Sequence, residues 1–291
     1  MSPGLFLQPD RGLAELEDPN TKLGLNIQSA GGTFRNWAPF KGKNHIFDQV
    51  IERLARVDYP ADDQCTIQYY FDVVRTLRDL AGEYRRVVDV GVYMGGSSSF
   101  LAGCIDRFDF DLDLVDINAD RLQFTYERIR RTSPESVHRV RMFHGDLPTY
   151  VGRVLMPEDS GGVIVHHDGS HDFNQVVKDM SALYFVRDKL LAVIAQDINL
   201  RSRIDMMNFV DLALFAVFGT DVKYASIGSV AEAWEGRTQP DARTGCYFIP
   251  GVPEGVVIPM AANSFKYPHP DMTFAQATGV ELSAPSIAVA A

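Results

Sequence analysis

Cysteine is scarce. The chain has 291 residues and three cysteines, Cys65, Cys104 and Cys246, set far apart. Such a set forms neither a disulfide framework nor a CxxC metal pair, and it points to a reducing, cytoplasmic setting. Long apolar runs are missing too. None approaches the ~20 residues that a membrane helix needs, so no membrane span is expected. The opening MSPGLFLQPDRG has no basic segment leading into an apolar run and does not resemble a signal peptide. Positive charge is in the minority, with 28 Lys and Arg against 38 Asp and Glu and a formal net charge of -10. A surface of that sign repels phosphate backbones, which sets nucleic acid aside as a partner. What the chain does have is 46% apolar and 23% charged residues, the composition of a soluble globular protein with a large core.

Residues 1–45 are rich in Gly, Pro and Asn with scattered aromatics (Phe6, Phe34, Trp37, Phe40), and an irregular arm or lid is expected there. A tail packed on the surface fits them equally well. The spacing of Ile46, Val50, Ile51, Leu54 and Ala55 predicts a helix over 45–57, and Tyr69, Tyr70, Val73, Val74, Leu77 and Leu80 predict another over 66–85. From there short apolar runs alternate with helical segments. Strands are expected at 86–91, 111–117, 138–146, 161–168, 189–198, 221–229 and 244–251, and helices at 97–108, 120–131, 173–186 and 204–218. That alternation predicts an α/β fold: a Rossmann-like, seven-stranded, mostly parallel sheet with helices on both faces. Only the polar loop 231–243 joins the last two strands, so they are expected to pair antiparallel at the sheet edge. The expected division is an arm or lid over 1–60, a cofactor-binding domain over 61–252, and a wrapping or partly disordered tail over 253–291, rich in Pro, Ala and Ser.

In open parallel sheets ligands sit beyond the carboxyl ends of the strands, where the strand order reverses. The first such end is Asp89–Val90–Gly91, followed by Gly95, Gly96 and Ser97 to Ser99. Glycine permits a sharp turn and close approach of a ligand to the backbone, and Ser97 or Ser98 is expected to cap the helix that follows. The spacing is Gly-x-x-x-Gly-Gly. The Gly-x-Gly-x-x-Gly that sets a pyrophosphate on a helix N-terminus is absent. A cofactor with a nucleoside and no pyrophosphate is therefore favoured. Asp116, ending the second strand, suits the two ribose hydroxyls. Asp146, ending the third, suits an adenine amino group, with Ile117 and Leu147 as apolar ring contacts. Tyr93 and Met94, in the turn, are expected to border the reacting group. Each Asp alone fits a capping role. Three in order behind a glycine turn argue jointly for a pocket.

The fourth and fifth strands end in HHDGSH (166–171) and AQDIN (195–199). Carboxylates at two adjacent strand ends repel unless a cation or proton lies between them. Asp168 and Asp197, with an oxygen from Gln196 or Asn199, make a hard donor set of the kind that suits Mg²⁺ with retained waters. His171 is expected beside the metal, where a neutral imidazole takes a proton from a substrate hydroxyl. His166 and His167 alternate across the strand and are expected in packing roles. Arg201 and Arg203 are candidates for an anionic group on the substrate, although solvated helix-start charges fit them better.

At these residues the chain resembles the class I S-adenosylmethionine-dependent methyltransferases. The motifs are VVDVGVYMGGSS, LVDI, HGDL, VIVHHDGSH and IAQDI. Within that class it is most similar to the metal-dependent branch with macrolide-sugar O-methyltransferases and cephalosporin-hydroxylase-like proteins. The resemblance covers about residues 87–199. It implies Asp168 and Asp197 as metal ligands, His171 as general base, and Asp89, Gly91 and Asp116 as cofactor-binding residues. With Tyr93, Gly95, Ser97, Ile117, Asp146 and Leu147 these complete the expected cofactor set. The expected cofactors are S-adenosylmethionine and Mg²⁺, and the expected partner is a small hydroxylated substrate. The family carries Glu or Asp where this chain has Gln196, which removes one negative charge. Two rivals stand beside O-methylation: a hydroxylase or cyclase that retains the cofactor, and a non-catalytic binder. An NAD-dependent oxidoreductase is a third. The long tail and aromatic arm make a homo-oligomer plausible.

Overall fold

The computed structural model describes residues 4–27, 37–57, 59–61, 63–159, 161–202, 207–231, 239–240, 242 and 245–282. Along it run β1 (Leu5–Leu7), α1 (Asn20–Leu23), α2 (His45–Leu54), α3 (Ile67–Asp79), β2 (Arg86–Val90), α4 (Gly96–Phe108), β3 (Asp111–Asp116), α5 (Ala119–Thr132), β4 (Val140–His144) and α6 (Leu147–Tyr150). β5 (Val163–His167), α7 (Phe173–Tyr184), β6 (Leu190–Gln196), β7 (Leu200–Arg201), α8 (Val210–Phe218), β8 (Ala225–Val230), β9 (Tyr247–Phe248), β10 (Pro253–Pro259) and α9 (Phe274–Thr278) follow. Among the described residues no helix is long and apolar enough to cross a membrane.

The fold follows from strands that are apolar on both sides. Val87, Leu112, Leu114, Ile164, Ala192 and Ile194 pack under α2, α3 and α4. Their neighbours Val88, Val90, Val115, Val165, Val193 and Ala195 pack under α7 and α8. Helices thus cover both faces, as near-continuous apolar strands require. The main sheet has the order β1-β4-β3-β2-β5-β6-β10-β8. β4, β3, β2, β5 and β6 are parallel. The order turns back between β2 and β5, which makes their carboxyl ends the switch point where ligands bind.

Two expectations about the sheet need correction. It has eight strands among the described residues, not seven. The extra one is β1, from the arm, which pairs antiparallel with β4 at Leu5↔His144, Phe6↔Phe143 and Leu7↔Met142. Three residues carry too little periodicity to announce a strand. In addition, the strand expected at 244–251 is not in this sheet. Among the described residues only Tyr247 and Phe248 form a strand there, paired with β7. The antiparallel partner of β6 and β8 is β10, from the segment assigned to the tail. PEGVVIP misleads because prolines bracket it and Glu254 sits inside it, both unfavourable signals for a central strand. Tertiary partners compensate: the Glu254 carboxylate accepts the Thr66 amide at 2.8 Å and the Ser229 amide at 3.2 Å. The expected antiparallel pair at the edge exists as β10 and β8.

The arm runs along α5. The Arg131 guanidinium donates to the carbonyls of Leu13, Leu16 and Glu17. Leu23, Leu25 and Ile27 pack with Tyr93 around Tyr59, Met94 and Phe124. The arm therefore reaches the glycine turn.

Candidate active site

A cavity of about 700 Å³ opens at the carboxyl ends of β2, β3, β5 and β6. On the β3 side of the switch point Tyr93, Ser97, Asp116, Ile117, Asp146 and Leu147 line it, and on the β6 side Asp168, His171, Gln196 and Asp197 do. Gly91 lies between, with φ at 83°. A Cβ on Gly91 would fall 2.3 Å from both the Asp168 carbonyl oxygen and Gly169 Cα, so only glycine lets the two strand ends close on each other. The Asp168 amide donates to the Val90 carbonyl at 2.9 Å, which locks this approach.

Asp116 accepts the Val92 amide at 3.0 Å and the Asn118 amide at 2.8 Å. Burial pushes its carboxyl above the usual range, against the pull of the Asn118 amide and Arg121. Tyr93, at φ 44°, turns its ring under the Arg121 guanidinium 4.9 Å away. Asp146 caps α6 through the Thr149 amide at 2.9 Å while lining the cavity, so capping and lining occur together. Ile117 is 70% exposed at the rim, an apolar surface open to a flat ring.

Several expected site residues stand elsewhere. Asp89 does not line the cavity. It is fully buried, accepts Ser98 Oγ at 2.5 Å, and lies 2.6 Å from His166 Nδ1. Gly95 is the N-cap of α4 at φ 75°, behind the cavity, so neither Ser97 nor Ser98 caps the helix. Met94 points into the cluster under the arm. Arg201 is engaged with Asp211 at 2.6 Å and stacked on Phe209, which removes it as an anion site. Arg203 lies outside the described residues. Asn199 is buried away from the cavity lining. His166 and His167 are fully buried, on Tyr69 with Asp89 and on Asp179 respectively.

At the β6 side, one ligand atom from each of Asp168, His171 and Asp197 lies within 4.8 Å of the others. Asp172, not His171, caps α7, which leaves the imidazole to the cluster. His171 Nε2 is 3.1 Å from Asp197 Oδ2 and 3.9 Å from Asp168 Oδ1, in neither case with hydrogen-bond alignment among the described residues. Burial opposes its charge, but Asp197 and Asp168 outweigh burial and push the imidazole up to about 9. Burial pushes Asp197 up as well, to about 7, with His171 opposing and Asp168 and Glu254 adding. Asp197 also holds a φ of 57°, rare for a residue with a side chain and typical of functional sites. The Gln196 oxygen is buried and has no hydrogen-bond partner among the described residues.

Sequence reasoning missed four parts of the wall. Cys65 lies with its sulfur 3.8 Å from Asp168 Oδ2, and burial pushes its thiol well up. Gln175 and Asp179 line the cavity joined by a 2.8 Å hydrogen bond. Their spacing on α7, just past the DGSH motif, is the one signal the sequence offered. Asp63 forms a buried two-bond pair with Arg128, 2.9 Å each, and Arg128 also holds the Met94 carbonyl. That pair pins the wall before α3 to the glycine turn.

No family model matches the chain, and no curated protein matches it. Solved structures do. One is an O-methyltransferase from Streptomyces achromogenes involved in tomaymycin synthesis, in complex with SAM. It is 13% identical, covers 74% of this chain and 90% of that one, and has a TM-score of 0.46. Another is an O-methyltransferase from Bacillus cereus in complex with SAH. It is 12% identical, covers 76% and 93%, and has a TM-score of 0.45. Likeness at that level leaves the chemistry of this site to its own residues.

Proposed function

We propose that the chain is a class I S-adenosylmethionine-dependent O-methyltransferase acting on a hydroxyl of a small molecule, a sugar or natural-product intermediate. The observation that carries this is the single cavity that joins Asp116, Ile117, Asp146 and Leu147 to Asp168, His171 and Asp197. One end suits a nucleoside without pyrophosphate, and the other suits a hydroxyl that must lose a proton.

The chain's own residues divide the work. The Asp116 carboxylate accepts ribose hydroxyls, the Asp146 carboxylate an adenine amino group, and Ile117 and Leu147 flank the ring. Tyr93 and Ser97 border the cofactor's other end. S-adenosylmethionine, when bound, supplies a methyl group on a sulfonium. His171, in the neutral form that prevails above about pH 9, takes the acceptor's proton at Nε2 and is then stabilised as imidazolium by Asp197 and Asp168. The arm packs on Tyr93, which lines the cavity.

The cluster also fits a hard cation. Asp168, Asp197 and the unpartnered Gln196 oxygen are all oxygen donors, the set that suits Mg²⁺. When bound, Mg²⁺ lowers the pKa of the acceptor hydroxyl. Three free thiols fit a cytoplasmic site of action.

The test is formation of S-adenosylhomocysteine from S-adenosylmethionine across a panel of small polyols and glycosides. Acceptor-dependent product is expected, with His171→Ala lowering turnover by about 100-fold or more while cofactor binding persists. Cofactor binding with no product from any acceptor would instead support the non-catalytic reading.

A further inference from the structure

We infer that a second cavity, where the C-terminal ends of α2 and α5 meet, binds a small phosphate-bearing molecule. This cavity measures about 410 Å³, within the range of ligand pockets, and shares no lining residue with the active-site cavity. Arg53, Arg56 and Tyr59 line it on one side, Arg131 and Glu135 on the other. Arg53 pairs with Glu135 and donates to the Thr132 carbonyl at 3.4 Å. Arg131 shares Glu127 with Arg130 and spends further donors on the arm carbonyls. Arg56 has neither ion pair nor hydrogen bond among the described residues, so its guanidinium donors are uncommitted. Four guanidiniums (Arg53, Arg56, Arg130, Arg131) thus stand against two carboxylates (Glu127, Glu135). The two helix C-termini take back about one charge, at roughly half a charge each. A positive excess remains, in a chain whose formal net charge is -10.

Tyr59 supplies an independent sign of a ligand. It is only 7% exposed, and its phenol oxygen is buried with no hydrogen-bond partner among the described residues. Buried hydroxyls are rarely left so. Burial pushes this one up to about 12, which keeps it a donor. The ring is held by the Arg131 guanidinium, 5.1 Å from its centroid, and by Phe124 at 5.7 Å. Donors therefore converge from α2, from α5 and from the segment after α2. The tetrahedral oxygens of a phosphate meet donors from several directions, whereas one guanidinium fork serves a planar carboxylate. Val57 and Pro134 add apolar wall for an organic body on the phosphate.

The test is calorimetric titration of the full chain with inorganic phosphate, ribose 5-phosphate and acetate, at constant ionic strength made up with NaCl. Both phosphates are expected to bind saturably, and acetate about tenfold more weakly or less. Tighter binding of ribose 5-phosphate assigns an organic phosphate to the site, and equal binding assigns free phosphate. Arg56→Ala, which breaks no bond within the fold, is expected to weaken both phosphates by about tenfold. Tyr59→Phe is expected to weaken them by about fivefold. The inference is overturned if neither phosphate binds, if acetate binds as tightly as they do, or if folded Arg56→Ala binds them like wild type. The last result would place any phosphate elsewhere on the molecule. Thermal melting reports folding, and Arg56→Gln replaces Arg56→Ala if that variant is unfolded, with the same loss expected.

Discussion

Burial alone would strip the proton from His171, yet two carboxylates at neighbouring strand ends keep it there. In protein free of divalent cations the His171 ring is therefore expected to titrate near 9, followed by its imidazole NMR signals. Asp197→Asn removes the larger attraction and should bring that value down toward the ordinary ~6.5. A wild-type value near 6.5 would show that the cluster is not assembled as described. The same residues were legible in the sequence because strand-end position and chemical type coincide in Asp116, Asp168, Asp197 and His171. Asp89 met the same criterion, but its carboxylate is taken by Ser98 and by His166, a partner far along the chain. Arg201 failed likewise, through Asp211. Side chains with a strong distant partner do not declare it in sequence.

The elements meet the site through one glycine. At Gly91 a positive φ and the 2.3 Å approach to the Asp168 backbone coincide. Gly91→Ala is thus expected to cost about 3 kcal/mol in denaturant unfolding and to displace Asp168. A cost within about 0.5 kcal/mol, the level of an ordinary surface change, would mean that the strand ends are not in contact. Helices α2 to α5 and α7 were legible from periodicity, and their strands from alternating apolar runs. β10 was not, since two prolines and a buried glutamate argue against a strand until Thr66 and Ser229 are in place. β1 was too short to show, and its place is set by Phe6 packing on Phe143 at 5.4 Å.

For the whole molecule, what matters is that the sheet order places the wall of Asp116, Ile117, Asp146 and Leu147, proposed for a nucleoside, and the cluster of Asp168, His171 and Asp197, proposed for the acceptor, in one cavity. Sequence disclosed both ends separately, and only the fold shows that they share a space. The walls before α3 and on α7 depend on pairs such as Asp63–Arg128, which no local pattern reveals. The most direct measurement is calorimetric titration of the full chain with S-adenosylhomocysteine and, separately, NAD, in wild type and Asp116→Ala. The expected result is saturable binding of S-adenosylhomocysteine, weakened by about tenfold or more in Asp116→Ala through loss of charge-assisted hydrogen bonds, with no binding of NAD. Binding of NAD and not of S-adenosylhomocysteine would contradict the assignment.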